Sequence, residues 1–267
     1  NFAASTIDIT PDFEQRAGWR LYYLNNPTLP DPAENLVSSI GGGFNNLGIE
    51  YLPYFTELGG LKSEGAVLDA GCGVGRMAYT LAYYLEQPGR YEGFDVMPDV
   101  IQWAQQEITP RHSNFTFQQI PVYNQHYNPE GTILGKDIVF PFENSHFDLA
   151  ILTSVFTHMQ GAELRRYLSE LYRVIKPGGR CLCTCFLLNP ESESLIDQGV
   201  STEPIRYELD DCFTSHPDNP EKAIGYKENI LLEWIRETGF TLAGKYYGNW
   251  CNRKDSVSFQ DILVLER

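Results

Sequence analysis

An apolar run that ends on an acidic residue and three alternating glycines constrains this chain more than any other feature. It reads Ala66-Val67-Leu68-Asp69-Ala70-Gly71-Cys72-Gly73-Val74-Gly75. Arg76-Met77-Ala78-Tyr79-Thr80-Leu81-Ala82 follows with a helix-compatible pattern. The expected unit is a strand that delivers the chain to a turn without side chains, where a ligand can lie against backbone. The helix behind the turn would present unpaired N–H groups and the positive end of its dipole. In an open α/β sheet, this carboxyl end of a strand is where a nucleotide-like group is held.

The glycine spacing narrows the choice of ligand. A dinucleotide fingerprint reads Gly-x-Gly-x-x-Gly, with the third glycine allowing close helix–strand packing. Here the pattern is Gly71-x-Gly73-x-Gly75, and Arg76 stands where that third glycine belongs. No Gly-Lys-Ser/Thr follows, so a Walker phosphate loop is excluded. Taken alone, the turn could still be a tight strand-to-helix connection. Arg90-Tyr91-Glu92-Gly93-Phe94-Asp95-Val96 then reads as a second strand that ends on an acid. A carboxylate in that place can accept hydrogen bonds from both hydroxyls of a ribose.

Two further segments complete the pattern. Phe147-Asp148-Leu149-Ala150-Ile151-Leu152 is an apolar strand followed by Thr153-Ser154-Val155-Phe156-Thr157-His158-Met159. Leu168 to Ile175 is helix-like, and Lys176-Pro177-Gly178-Gly179-Arg180 supplies a turn before another strand. In order and content these four segments resemble the class I S-adenosylmethionine-dependent methyltransferases. The resemblance implies a doubly wound, seven-stranded, mostly parallel α/β sheet with helices on both faces. Its last strand is antiparallel, and Phe259 to Leu265 fits that strand in a hairpin with its predecessor.

The resemblance also implies site residues. Asp69, Gly71, Gly73 and Gly75 would cradle the methionine end of S-adenosyl-L-methionine, with Asp95 on the ribose. Val96 and Met97 would lie near the adenine, and Ser154 and Val155 would flank the methyl region. The product would be S-adenosyl-L-homocysteine. The family commonly has an acid after the third strand that binds the adenine amino group. Pro121 stands there in this chain, which leaves Gln119, Asn124 or a backbone carbonyl to take that role.

The remaining chain is read as follows. Strands are expected at 66–70, 91–96, 115–119, 147–152, 180–187, 240–247 and 259–265, and helices at 76–86, 99–108, 161–174 and 227–238. Residues 1–60 are expected to form an N-terminal helical cap ahead of the methyltransferase domain at 61–267. Helical segments are expected around Trp19 and from Ile49 to Leu58. Two insertions, about 121–145 and 188–226, carry aromatic and polar residues and would build a substrate pocket. Tyr123, Tyr127, Phe156 and Trp250 are its candidate lining residues. His158 is the candidate base, because an unperturbed imidazole titrates near neutrality. His126, His216 and Arg253 are weaker candidates. The favoured reading is methyl transfer to a hydroxyl of a small molecule. The alternatives are N-methylation of a small amine or peptide, and donor binding without catalysis.

Composition bears on partners. The formal net charge of −15, with no basic run longer than Arg165-Arg166, disfavours a nucleic-acid partner. No apolar run approaches the roughly 18 residues of a membrane span, so a cytoplasmic protein is expected. The six cysteines form no Cys-x-x-Cys pair. Cys181, Cys183 and Cys185 alternate, which on a strand puts all three on one apolar face instead of around a metal. The reading calls for no metal and sets no oligomeric state.

Overall fold

The computed structural model describes residues 29–41 and 44–267. The helical segment expected around Trp19 lies outside them. The strands of the main sheet are β1 (Ala66–Ala70), β2 (Arg90–Asp95), β3 (Phe115–Gln119), β4 (Phe147–Leu152), β5 (Ile175–Cys185), β10 (Thr241–Tyr246) and β11 (Asp261–Glu266). They lie side by side in the order β10-β11-β5-β4-β1-β2-β3. The pairs β1–β2, β2–β3, β1–β4 and β4–β5 are parallel, whereas β11 runs antiparallel to both β5 and β10. This is the doubly wound sheet with an antiparallel last strand that the sequence predicts. Strand order reverses between β1 and β4, so a crevice opens at their carboxyl ends.

The central strands are apolar on both sides because helices cover both faces. Leu68, Ala70, Ala150, Leu152, Cys181, Cys183 and Cys185 pack with the helices Gly161–Val174 and Glu228–Thr238. Val67, Leu149, Ile151, Leu182, Ile262 and Val264 pack on the opposite face with Phe44–Pro53, Arg76–Leu81 and Pro98–Glu107. The three alternating thiols therefore share one buried apolar face, as their spacing predicts.

Several boundaries differ from expectation. The helix after the glycine turn stops at Leu81, short of residue 86. The helix expected from Ile49 to Leu58 is Phe44–Pro53, and Tyr54–Leu58 continues it as a π-turn. The Pro177-Gly178-Gly179 turn sits inside β5 as a bulge. There the pairing with β4 jumps from Phe147↔Ile175 to Leu149↔Arg180, and Gly178 adopts a φ of 78°.

The second insertion holds elements that the sequence reading missed. A small sheet runs β6 (Leu187–Leu188), β9 (Ile224–Lys227), β8 (Phe213–Thr214), β7 (Tyr207–Glu208). Strands this short carry too little alternation to detect. The missed helix Pro190–Asp197 did have a signal, since Asn189 caps it by accepting from Ser192 N–H and Pro190 occupies the first turn. Among the described residues no helix is long and apolar enough to cross a membrane.

Candidate functional site

A cavity opens at the carboxyl ends of β1, β2 and β4, where an open α/β sheet holds its ligand. Its walls include Gly71, Gly73, Asp95, Val96 and Met97 on one side and Thr153, Ser154 and Val155 on another. Tyr123, Tyr127, His158, Glu163 and Tyr167 form a further wall.

The glycine turn is a bare backbone surface. Gly71 holds φ 87°, and a Cβ there would come within 2.4 Å of Val155 Cγ2. Gly73 holds φ 53°, and its Cβ would lie 3.2 Å from Ile40 Cγ2, on the helix Glu34–Ile40 that leans over the turn. Within the turn itself most N–H groups are bonded internally. Gly71 and Cys72 both donate to the Phe94 carbonyl, Gly73 donates to Asp95 Oδ2 at 2.8 Å, and Gly75 donates to the Cys72 carbonyl. A turn whose donors are bonded internally is a poor cradle for a pyrophosphate and a good surface for an uncharged sugar or an aliphatic chain.

Asp95 joins the two strand ends. Oδ2 accepts from Gly73 and Oδ1 accepts from Met97 N–H at 3.0 Å. Burial raises its pKa while these backbone bonds oppose the rise. A carboxylate offers about four lone-pair sites, so each oxygen can still accept a ligand hydroxyl.

Several candidates are not on the cavity wall. Asp69 is wholly buried behind the turn, where Oδ2 accepts from the Tyr91 hydroxyl at 2.5 Å and Oδ1 has no partner among the described residues. Burial pushes its pKa up to about 7. Gly75 serves packing, because its φ is 81° and a Cβ would meet Ile108 Cδ1 at 2.6 Å. Phe156 is fully buried in the core beneath β4. Trp250 is buried against Phe186 under the second insertion and donates its indole N–H to Asp261 Oδ2 at 2.8 Å. Arg253 belongs to that same knot, bonded to Asp261 and Glu191. A tryptophan in a polar hairpin reads equally well as rim or core, so sequence alone misplaces it.

His158 does line the cavity, but not as an ordinary imidazole. Nδ1 lies 2.7 Å from the Glu221 carbonyl, which can only accept, so Nδ1 carries the proton. Nε2 is then an acceptor and receives the Tyr127 hydroxyl at 3.3 Å. Burial lowers the His158 pKa to about 4, against the premise that it titrates near neutrality. His126 stacks beside it with centroids 6.3 Å apart, and His216 is not on the wall.

The adenine question is narrowed by the same loop. The Asn124 side chain lines the cavity but is bonded to the His158 carbonyl and to the N–H groups of His126 and Tyr127. Gln119 donates to the Val96 carbonyl and stays off the wall. Pro121 accepts from Thr132 and Ile133.

Ser154 is strained at φ 60°, held by its N–H to Thr184 Oγ1 at 2.7 Å and its hydroxyl to Gln260. Non-glycine residues are held in this region where the surrounding structure over-determines them, typically at ligand sites. Sequence reasoning missed Arg76, Glu163 and Tyr167 on the wall. Arg76 donates to the Gly41 carbonyl, and its Nε has no partner among the described residues. The signal for the other two was their i, i+4 spacing on one helix face.

The glycine turn, the acid-ended second strand and the sheet order are those expected of the class I S-adenosylmethionine-dependent methyltransferase fold. Residues 68–183 match the methyltransferase domain family. The chain is similar to demethylmenaquinone methyltransferase of Lactiplantibacillus plantarum, with 32% identity over 123 residues, 46% of this chain and 46% of that protein. A demethylmenaquinone methyltransferase of Symbiobacterium thermophilum is 27% identical over 119 residues, 44% of this chain and 41% of that protein. The matches thus span less than half the length of these relatives. In fold, the chain resembles the PH0226 protein of Pyrococcus horikoshii OT3, with a TM-score of 0.57 and 19% identity over 92% of this chain and 98% of that one.

Proposed function

We propose that the chain transfers the methyl group of S-adenosyl-L-methionine to a hydroxyl of a small, largely apolar acceptor. The observation that carries this reading is a single cavity with two kinds of wall. One is bare backbone plus Asp95, suited to a ribose and an aliphatic chain. The other is aromatic and hydroxyl-bearing, suited to an acceptor ring.

Gly71 and Gly73 would contact the donor's methionine end, Asp95 its ribose, and Val96, Met97 and Val122 its adenine. Ser154 and Val155 would border the methyl group. S-adenosyl-L-methionine supplies a sulfonium-bound methyl that is already electrophilic. The protein's task is alignment and exclusion of water, worth several kcal/mol. Arg76, held at the Gly41 carbonyl, has donors to spare for a carboxylate. Tyr127, fixed by His158, presents its ring to the acceptor. His158 acts here as the neutral anchor of Tyr127, since its free nitrogen already accepts that hydroxyl.

The relatives' printed substrate supports a quinone-like ring as the acceptor class. The test is transfer of radiolabelled methyl from S-adenosyl-L-methionine to a panel of phenols, 1,4-naphthohydroquinone and sugar alcohols, with primary amines alongside. Label recovered as a methoxy group on a hydroxyl compound supports the reading, and label on a ring carbon overturns the choice of acceptor atom. Label in amines only overturns the choice of acceptor atom.

A further inference from the structure

Glu163 and Glu170 lie on one helix two turns apart and have opposite surroundings. Glu170 pairs with Arg173 at 2.6 Å and Arg166 at 3.2 Å and accepts from Phe140 N–H, which holds its carboxyl below the usual range. Glu163 has no cationic partner among the described residues. Its Oε2 accepts from Gln160 N–H at 3.2 Å in a capping box, and Oε1 makes no hydrogen bond to a described residue. Oε1 lies at the cavity wall beside Gly135, where a Cβ would come within 2.6 Å of it. Tyr167, one turn on, lines the same cavity and senses the charges of both Glu163 and Asp95, so it bridges the two halves of the site.

We propose that Glu163 is the general base that takes the proton of the acceptor hydroxyl; this rests on the methyl-transfer reading above. Oε1 receives the proton as the acceptor oxygen bonds to the methyl carbon. The electron pair of the carbon–sulfur bond stays with sulfur, which becomes a neutral thioether. The carboxylic acid then returns its proton to water.

The electrostatics suit the role. Burial and the Glu221 carboxylate push Glu163 up to about 7, against the Gln160 bond, so the group is poised at working pH. The groups around it are few. Glu221 packs from the Pro220–Lys222 turn, where Gln125 N–H holds it, and Tyr226 feels the Glu163 charge from β9. Asp211 sits at the helix start, bonded to Gly161 N–H and Arg165, while Lys136 and Asp137 on the facing turn are exposed. No lysine or arginine among them neutralises Glu163.

Glu163→Gln tests this cleanly, because glutamine keeps the capping box. The full chain, labelled with ¹³C at glutamate carboxyl carbons and saturated with S-adenosyl-L-homocysteine, should show one carboxyl titrating near pH 7. That resonance should be absent from E163Q. With a hydroxyl compound that the wild type methylates on oxygen, E163Q should lose about 100-fold in kcat with little change in KM. The acid limb of the kcat profile near pH 7 should vanish, and affinity for S-adenosyl-L-homocysteine should hold.

A glutamate titration confined to the usual carboxylate range overturns the proposal. So does an E163Q that keeps its kcat, or one that changes only KM, which marks a binding carboxylate for a cationic acceptor. Failure to methylate any hydroxyl compound while the donor product binds overturns it together with the choice of acceptor atom. Failure of the wild type to bind S-adenosyl-L-homocysteine removes the methyl-transfer reading itself.

Discussion

Gly71→Ala should damage the donor site in proportion to what its Cβ meets, and Gly178→Ala should not. Both glycines adopt positive φ, 87° and 78°. An alanine held in that region costs about 1–2 kcal/mol at either position. The surroundings differ. At Gly178 nothing lies within 4 Å of a new Cβ, whereas at Gly71 it would sit 2.4 Å from Val155 Cγ2. That overlap adds about 1–3 kcal/mol of overpacking, or is relieved by moving Val155. Val155 borders the cavity, so either response deforms the surface on which the donor would lie. A shift of about 1.4 kcal/mol is tenfold in affinity. We therefore expect S-adenosyl-L-homocysteine to bind G71A at least about tenfold more weakly than wild type, and G178A as wild type. Isothermal titration gives the affinities, and denaturant unfolding gives the stabilities. Equal affinities for the two variants would refute the assignment of Gly71 to the donor surface.

Other outcomes follow from buried ionisable groups. Asp69 has a carboxyl raised to about 7, so folding is disfavoured progressively as pH rises from the unfolded value through 7. Asp69→Asn should gain stability relative to wild type over that window, by up to about 4 kcal/mol at pH 8, read by urea unfolding at pH 4 and pH 8. His158 has its pKa lowered to about 4, so its contribution to stability is lost as pH falls from about 6.5 towards 4. His158→Gln should flatten the acid side of the unfolding curve by up to about 3 kcal/mol; an unchanged slope would mean the imidazole is not buried. All six cysteines are free and buried, so a thiol reagent should react rapidly with none in the native protein and with six in denaturant.

The sheet was legible in the sequence because its central strands β1 and β4 and the last strand β11 are mostly apolar, and its turns are punctuated by residues with one physical purpose. Gly71, Gly73, Gly75 and Asp95 mark the ends of β1 and β2 by chemistry as well as by pattern. The wall built from the insertions was not legible to the same degree. Phe156 and Trp250 have the composition of lining residues but lie in the core, and one sequence does not say which side of a loop an aromatic ring faces. Glu163 reads as an ordinary first-turn acid of a helix. Its distinction is the lack of a cationic partner among the described residues, a property of the fold around it. The imidazole of His158 shows the same limit, since its low pKa comes from burial and from the Glu221 carbonyl, far along the chain.

The central claim is that the crevice between β1, β2 and β4 holds an adenosyl sulfonium donor through Asp95. Isothermal titration of wild type and Asp95→Ala with S-adenosyl-L-methionine, S-adenosyl-L-homocysteine and NAD tests it most directly, with thermal unfolding as the check on folding. The account predicts that wild type binds both adenosyl ligands and not NAD, and that the folded variant binds them at least about tenfold more weakly. Binding of NAD alone, or an unchanged affinity in Asp95→Ala, would contradict it.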